Sequence, residues 1–162
     1  MAWATRKQFT LEDGKSALER YCAYQERCQK EVQTKIAVLG FRGEAAEVLL
    51  LEALQSDWVN DERFARAYAR GKFRALGWGK GKILYGLRSK GISSACIDLG
   101  LQEIDPQEYE EKALAVAARV WEDVRKLPAV QQRRKVEQVL YQRGFESEWA
   151  ARTAPGKEEA ND

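Results

Sequence analysis

Arg63, Arg66, Arg70 and Arg74 follow one another at intervals of three, four and four residues. At about 100° per residue, a helix gathers them within an arc of roughly 80°. Guanidinium groups arrayed in this way can grip carboxylates or phosphates bidentately. The segment that follows, LGWGKGK, displays Trp78, Lys80 and Lys82 in a glycine-rich turn, and Arg88 and Lys90 lie near the end of the next helical pattern. Together these residues form a candidate surface for an acidic protein or a nucleic acid. The competing reading is a face that only keeps the chain solvated. Arg133, Arg134 and Lys135 form a second basic patch open to the same two readings.

Other chemistries find little support. The chain has no histidine. That excludes histidine general acid–base catalysis, histidine-assisted nucleophiles and histidine-ligated metals. Cys22, Cys28 and Cys96 form no C-x-x-C pair. They are expected to be reduced, buried and non-catalytic. Gly77, Gly79 and Gly81 with Lys80 and Lys82 lack the spacing of a phosphate-binding loop and read as a helix–helix connection. Asp61 and Glu62 are adjacent, so on a helix they diverge by about 100°. Capping suits them better than a catalytic carboxylate pair. No enzyme, cofactor or metal is expected.

These side chains are positioned by helices. Alanine, leucine, glutamate, lysine, arginine and glutamine are abundant, and the 162 residues include three prolines. Three segments share one pattern when aligned on Gly40, Gly91 and Gly144. Four residues earlier stand Ile36, Leu87 and Leu140, and eight earlier Val32, Ile83 and Val136. One residue later come Phe41, Ile92 and Phe145. This is an apolar helix stripe ended by a left-handed glycine, with an apolar residue folding back on the last turn. A further helix precedes and another follows each segment. Asn60 or Asp61 is expected to cap the middle unit's first helix, and Pro106 to open the third's. In the middle unit, Phe64, Tyr68, Gly71 and Ala75 are expected to form the packing face, with Trp78 the best candidate for an exposed aromatic.

The expected fold is therefore all-α, with nine helices in three tandem three-helix repeats. Each repeat has a small core of its own, and the whole forms an elongated, curved, solenoid-like molecule. The expected boundaries are an extension over 1–11, repeats over 12–57, 58–104 and 105–153, and a disordered tail over 154–162. Charge alternates along the chain. Residues 61–92 carry nine positive and two negative side chains, and residues 93–124 two positive and eight negative. Residues 125–145 are basic again. Such blocks can set two basic surfaces either side of an acidic one. No apolar run is long enough to span a bilayer, and no apolar block follows Arg6 and Lys7. The expected compartment is the cytoplasm.

The stretch DERFARAYARGKFRALGWGKGKILYGLRSKGI, residues 61–92, resembles the central signature of the RecX family, bacterial regulators of the RecA recombinase. ALERYCAYQERCQKEVQTKIAVLGF, residues 17–41, resembles that family's first unit. With the weaker third unit, the resemblance covers about residues 12–152. It implies tandem three-helix repeats and a non-enzymatic protein. Such a protein would bind RecA, lie in the groove of the RecA–single-stranded-DNA filament, and inhibit ATP hydrolysis and strand exchange. The motif carries over at Asp61, Glu62, Arg63, Phe64, Ala65 and Tyr68, and at Ile83, Leu87, Lys90, Gly91 and Ile92. Phe64, Tyr68, Ile83, Leu87, Gly91 and Ile92 are expected to be structural. Cys28 stands where a capping serine is usual, which implies a less firmly started helix, and Gly71 interrupts a helix. The chain is expected to be a monomer and to bind free DNA weakly. The alternative function is a helical module acting directly on DNA or RNA.

Overall fold

The computed structural model describes residues 9–156. The expected tail lies partly outside them, at 157–162, as do residues 1–8 of the extension. Among the described residues there are nine α-helices and no strand. The first unit holds α1 (Leu11–Tyr24), α2 (Gln29–Val38) and α3 (Gly43–Gln55). The second holds α4 (Asp61–Leu76), α5 (Lys80–Ser89) and α6 (Ser94–Leu101). The third holds α7 (Pro106–Val124), α8 (Ala129–Arg143) and a five-residue α9 (Glu148–Arg152).

The repeated glycine pattern is a repeated helix ending. Gly40, Gly91 and Gly144 have φ of 95°, 74° and 89°. In each unit the amide after the glycine donates to the carbonyl five residues back. These bonds are Phe41 to Ile36 at 3.2 Å, Ile92 to Leu87 at 3.2 Å and Phe145 to Leu140 at 2.8 Å. Six amides and carbonyls are thereby paired where a helix end would otherwise strand them. The stripe residues Val32, Ile36, Ile83, Leu87, Val136 and Leu140 are all buried.

The cores are not three. Leu18, Val32, Ile36, Leu49, Ala53 and Val59 form the first unit's core. The second and third units share a single core that runs from Phe64 to Ala150. The expectation of one core per repeat fails at that junction, because α5 of the second unit packs on α8 of the third. The turn before α5 makes this possible. Gly79 N–H donates to Arg143 O at 2.7 Å, and Gly81 N–H to Gly144 O at 2.9 Å. The last carbonyls of α8 thus satisfy amides at the start of α5, and the negative pole of one helix meets the positive pole of the other.

A similar meeting joins α5 to α2, but side chains make it. Lys30 Nζ donates to Ser89 O at 2.9 Å, and Lys90 Nζ pairs with Glu31 at 2.9 Å. Cys28 Sγ lies 3.9 Å from Lys90 O. Cys28 does not leave α2 poorly started. Its amide donates to Glu31 Oε2 at 3.0 Å, and Gln29 N–H to Asp61 Oδ1 of the second unit at 2.8 Å. Carboxylates thus accept from two amides at the start of α2, neither of them the amide a capping hydroxyl would take. Cys28 is fully buried against the core of the second and third units, whereas Cys22 and Cys96 are only half-buried.

Candidate functional site

The arginine helix α4 begins at Asn60, whose side chain accepts from Arg63 N–H at 2.9 Å. It ends at Gly77, with φ of 65°. The buried face of α4 is Phe64, Ala65, Ala69 and Phe73. Gly71 and Ala75, expected on that face, are exposed. The face is rotated because α6 crosses close to Ala65. A Cβ at Gly100 of α6 would lie 2.8 Å from the Ala65 carbonyl oxygen, so only glycine permits this approach. The same approach sets Glu103, just beyond α6, beside the arginine stripe.

Three of the four stripe arginines are paired within the chain. Arg63 meets Glu26 at 2.7 Å and Asp57 at 2.9 Å. Arg66 meets Glu62 at 3.0 Å and Glu103 at 2.9 Å. Arg70 meets the other oxygen of Glu103 at 3.1 Å. Hydrogen bonds from Arg66 and then Arg70 hold the Glu103 carboxyl below its ordinary range. Donating to Glu103 and Glu62 raises Arg66, and donating to Glu26 raises Arg63. Arg74 is exposed and joins no ion pair among the described residues.

The glycine-rich turn is shorter than expected: Lys80, Gly81 and Lys82 belong to the first turn of α5, and residues 77–79 alone form the connection, which is a docking element. A Cβ on Gly79 would collide with the Gly144 carbonyl. Trp78 is half-buried, with its ring edge-on to Tyr68 at 6.4 Å. Lys72 Nζ sits 4.9 Å and Lys82 Nζ 4.5 Å from the Trp78 ring. Lys80 Nζ lies 4.6 Å from the Tyr109 ring, and Lys80 N–H donates to the Tyr109 hydroxyl at 3.2 Å. Tyr109 in turn donates to Glu146 at 2.8 Å. Burial, opposed by the Lys80 amide and aided by Glu146, holds the Tyr109 phenol protonated far above its usual range. Arg88 is exposed and joins no ion pair among the described residues, whereas Lys90 is tied to Glu31. In the second patch Arg133 pairs with Glu137 at 3.0 Å, and Arg134 and Lys135 are exposed without such a partner.

The structure therefore divides the candidate residues. Arg63, Arg66, Arg70, Lys90 and Arg133 are held by carboxylates of the chain itself. Arg74, Arg88, Arg134 and Lys135 join no ion pair among the described residues, and Lys80 and Lys82 lie over aromatic rings. The partners Glu26, Asp57 and Glu103 escaped sequence reasoning. Glu62, four residues before Arg66, was a legible signal, and so was the acidic block directly after the basic one. No group of three His, Cys, Asp or Glu among the described residues could hold a metal. No described helix is long and apolar enough to cross a membrane.

Two family models match the chain. That for the second three-helix domain of RecX covers residues 60–101, and that for the third covers residues 107–152. The regulatory protein RecX of Streptococcus uberis is 27% identical over 140 residues, 86% of this chain and 54% of that protein. The protein of the same name from Levilactobacillus brevis is 30% identical over 132 residues, 82% of this chain and 50% of that protein. The chain spans about half the length of such relatives. A crystal structure of regulatory protein RecX superposes with a TM-score of 0.76 at 25% identity, over 88% of this chain and 72% of that one. RecX from Lactobacillus salivarius gives a TM-score of 0.78 at 22% identity, over 88% of this chain and 93% of that one.

Proposed function

The chain belongs to the RecX family, and on that premise we propose that it is a regulator of RecA. It binds RecA and the RecA–single-stranded-DNA filament and lowers ATP hydrolysis and strand exchange. It works in the cytoplasm, without catalysis of its own. One observation carries this reading: the two matched domains run consecutively and are joined by the backbone bonds of Gly79 and Gly81 to the end of α8. That junction makes one rigid surface of the second and third units. A rigid, extended surface suits a partner that is itself a regular filament, because little conformational freedom is lost on binding.

The cations outside any ion pair among the described residues, Arg74, Lys82, Arg88, Arg134 and Lys135, meet the acidic side chains and phosphates of the filament. Arg63 and Lys90 serve mainly to fix the first unit on the second. Arg70 becomes available to the partner when Glu103 yields it, and Arg66 when both Glu103 and Glu62 do.

The test is RecA ATP hydrolysis on single-stranded DNA, with and without this protein. Hydrolysis should fall as the protein is added. Unchanged hydrolysis and strand exchange at saturating protein would refute the reading. Binding to free single-stranded DNA should be weak. With about four phosphate contacts, log K should fall against log salt with a slope near −3. Tight, salt-insensitive binding to free DNA without an effect on RecA would instead favour a module acting directly on nucleic acid.

A further inference from the structure

Tyr85 on α5 and Tyr141 on α8 are 77% and 82% exposed. Neither ring has an aromatic or cationic partner among the described residues. Leaving two large amphipathic rings in water forgoes the burial that aromatic side chains ordinarily gain. The α8-to-α5 junction brings both to one groove of about 450 Å³, which Lys82, Gln142, Phe145 and Glu146 also line. Glu146 is already engaged, accepting from Tyr109 at 2.8 Å and from Trp149 Nε1 at 2.9 Å.

Free cations flank the rings. Arg88 follows Tyr85 by three residues, and Arg134 precedes Tyr141 by seven, so each shares or adjoins its tyrosine's helix face. Both are exposed and outside any ion pair among the described residues. Lys82 stands within the groove itself. Two unpartnered rings between positive charges have the chemistry of a single-strand platform. Bases stack on the rings, and phosphates meet the cations. A duplex has its base faces already stacked and could use only the cations.

From this juxtaposition we infer that the groove between Tyr85 and Tyr141 is a base-stacking site for single-stranded nucleic acid. The inference goes beyond the RecA reading, since a strand can be held here with or without an effect on RecA. Trp78, the aromatic singled out by sequence, is less suited, because Lys72 and Lys82 lie against its ring.

The experiment uses the full chain and fluorescence anisotropy at low salt. The probes are a labelled oligothymidylate, a blunt duplex of the same length, and an abasic strand with the same phosphates and no bases. The parent should bind the thymidylate strand at least fivefold more tightly than the abasic strand. Tyr85→Ala with Tyr141→Ala should weaken thymidylate binding at least tenfold, leave duplex binding within about twofold, and abolish the preference over the abasic strand. Tyr85→Phe with Tyr141→Phe should restore the preference, because stacking does not need the hydroxyl. Both positions are exposed, so melting temperatures should match the parent's.

Equal parental affinity for the thymidylate and abasic strands would overturn the site. So would a folded double alanine variant that keeps the preference. A double alanine variant that keeps the preference yet no longer inhibits RecA would assign the rings to a protein contact. If inhibition of RecA is absent in the parent while the preference is present, the RecA reading fails and this one stands.

Discussion

Gly79 and Gly144 meet backbone to backbone, and no side chain larger than hydrogen fits between them at Gly79. The contact lets the end of α8 cap α5 and merges two repeats into one core. Gly79→Ala should therefore force the units apart. The neighbouring atoms are backbone and cannot swing aside, so the cost should reach at least about 1–3 kcal/mol. Gly71→Ala is the matched control. Gly71 lies inside α4 with open space around it and no left-handed φ, so alanine there should stabilise by roughly 0.5–1 kcal/mol. Urea unfolding of the two variants checks both directions.

Glu103 acts as an internal occupant of the arginine stripe, with one oxygen on Arg66 and the other on Arg70. Glu103→Gln removes the charge and keeps the shape. Single-stranded DNA should then bind more tightly, with a salt slope steeper by about 0.7–1.4 as one or two further arginines reach phosphate. An unchanged slope in a folded variant would mean that Arg66 and Arg70 do not face nucleic acid.

Much of the architecture was legible because it rests on local rules. The stripe at Val32 and Ile36, repeated at Ile83 and Leu87 and at Val136 and Leu140, needs only the helical period. Gly40, Gly91 and Gly144 need only a left-handed stop. What was hidden depends on distance in sequence. Glu26 and Arg63 are 37 residues apart, as are Arg66 and Glu103. No local spacing announces such pairs. The buried face of α4 was misplaced for the same reason. Gly100, on another helix, decides how closely Ala65 is covered. Tyr85 and Tyr141 lie on separate helices, and only the Gly79–Gly144 contact brings them to one groove.

The junction of the first and second units should respond to pH. Burial pushes the Glu31 carboxyl up, but bonds from Lys90 and the Cys28 amide outweigh it and leave it below its ordinary 4.5. Donating to Glu31 raises Lys90 above its ordinary 10.5. A depressed carboxylate stabilises the fold above its unfolded value and loses that contribution as pH falls through the folded one. A raised ammonium stabilises below its unfolded value and loses that as pH rises through the folded one. Both side chains are a quarter to a third exposed, so the pair contributes only about 0–1 kcal/mol after screening. Glu31→Gln keeps an acceptor for the Cys28 amide and removes the charge. Its deficit in melting temperature should be present at neutral pH and disappear in acid, once the parent's Glu31 is protonated.

The division between tied and free cations gives the sharpest test of where the partner sits. Changing Arg66 and Arg70 to glutamate would set new carboxylates against Glu62 and Glu103, so any lost activity would be mixed with lost stability. Arg74 and Arg88 carry no such entanglement. They are exposed, lie outside any ion pair among the described residues, and occupy the last turns of α4 and α5. Arg74→Glu with Arg88→Glu should leave helicity near the parent's and lower the melting temperature only slightly, because each charge sits in the last turn of its helix and is worth about 0.3–1 kcal/mol there. Inhibition of RecA should fall at least about tenfold, which corresponds to about 1.4 kcal/mol of binding. A matched reversal of Arg133, Arg134 and Lys135 should cost less, because Arg133 is already bound to Glu137. If the Arg74 and Arg88 variant is folded and inhibits as the parent does, these cations are a solvated face, and the RecA-binding surface lies elsewhere.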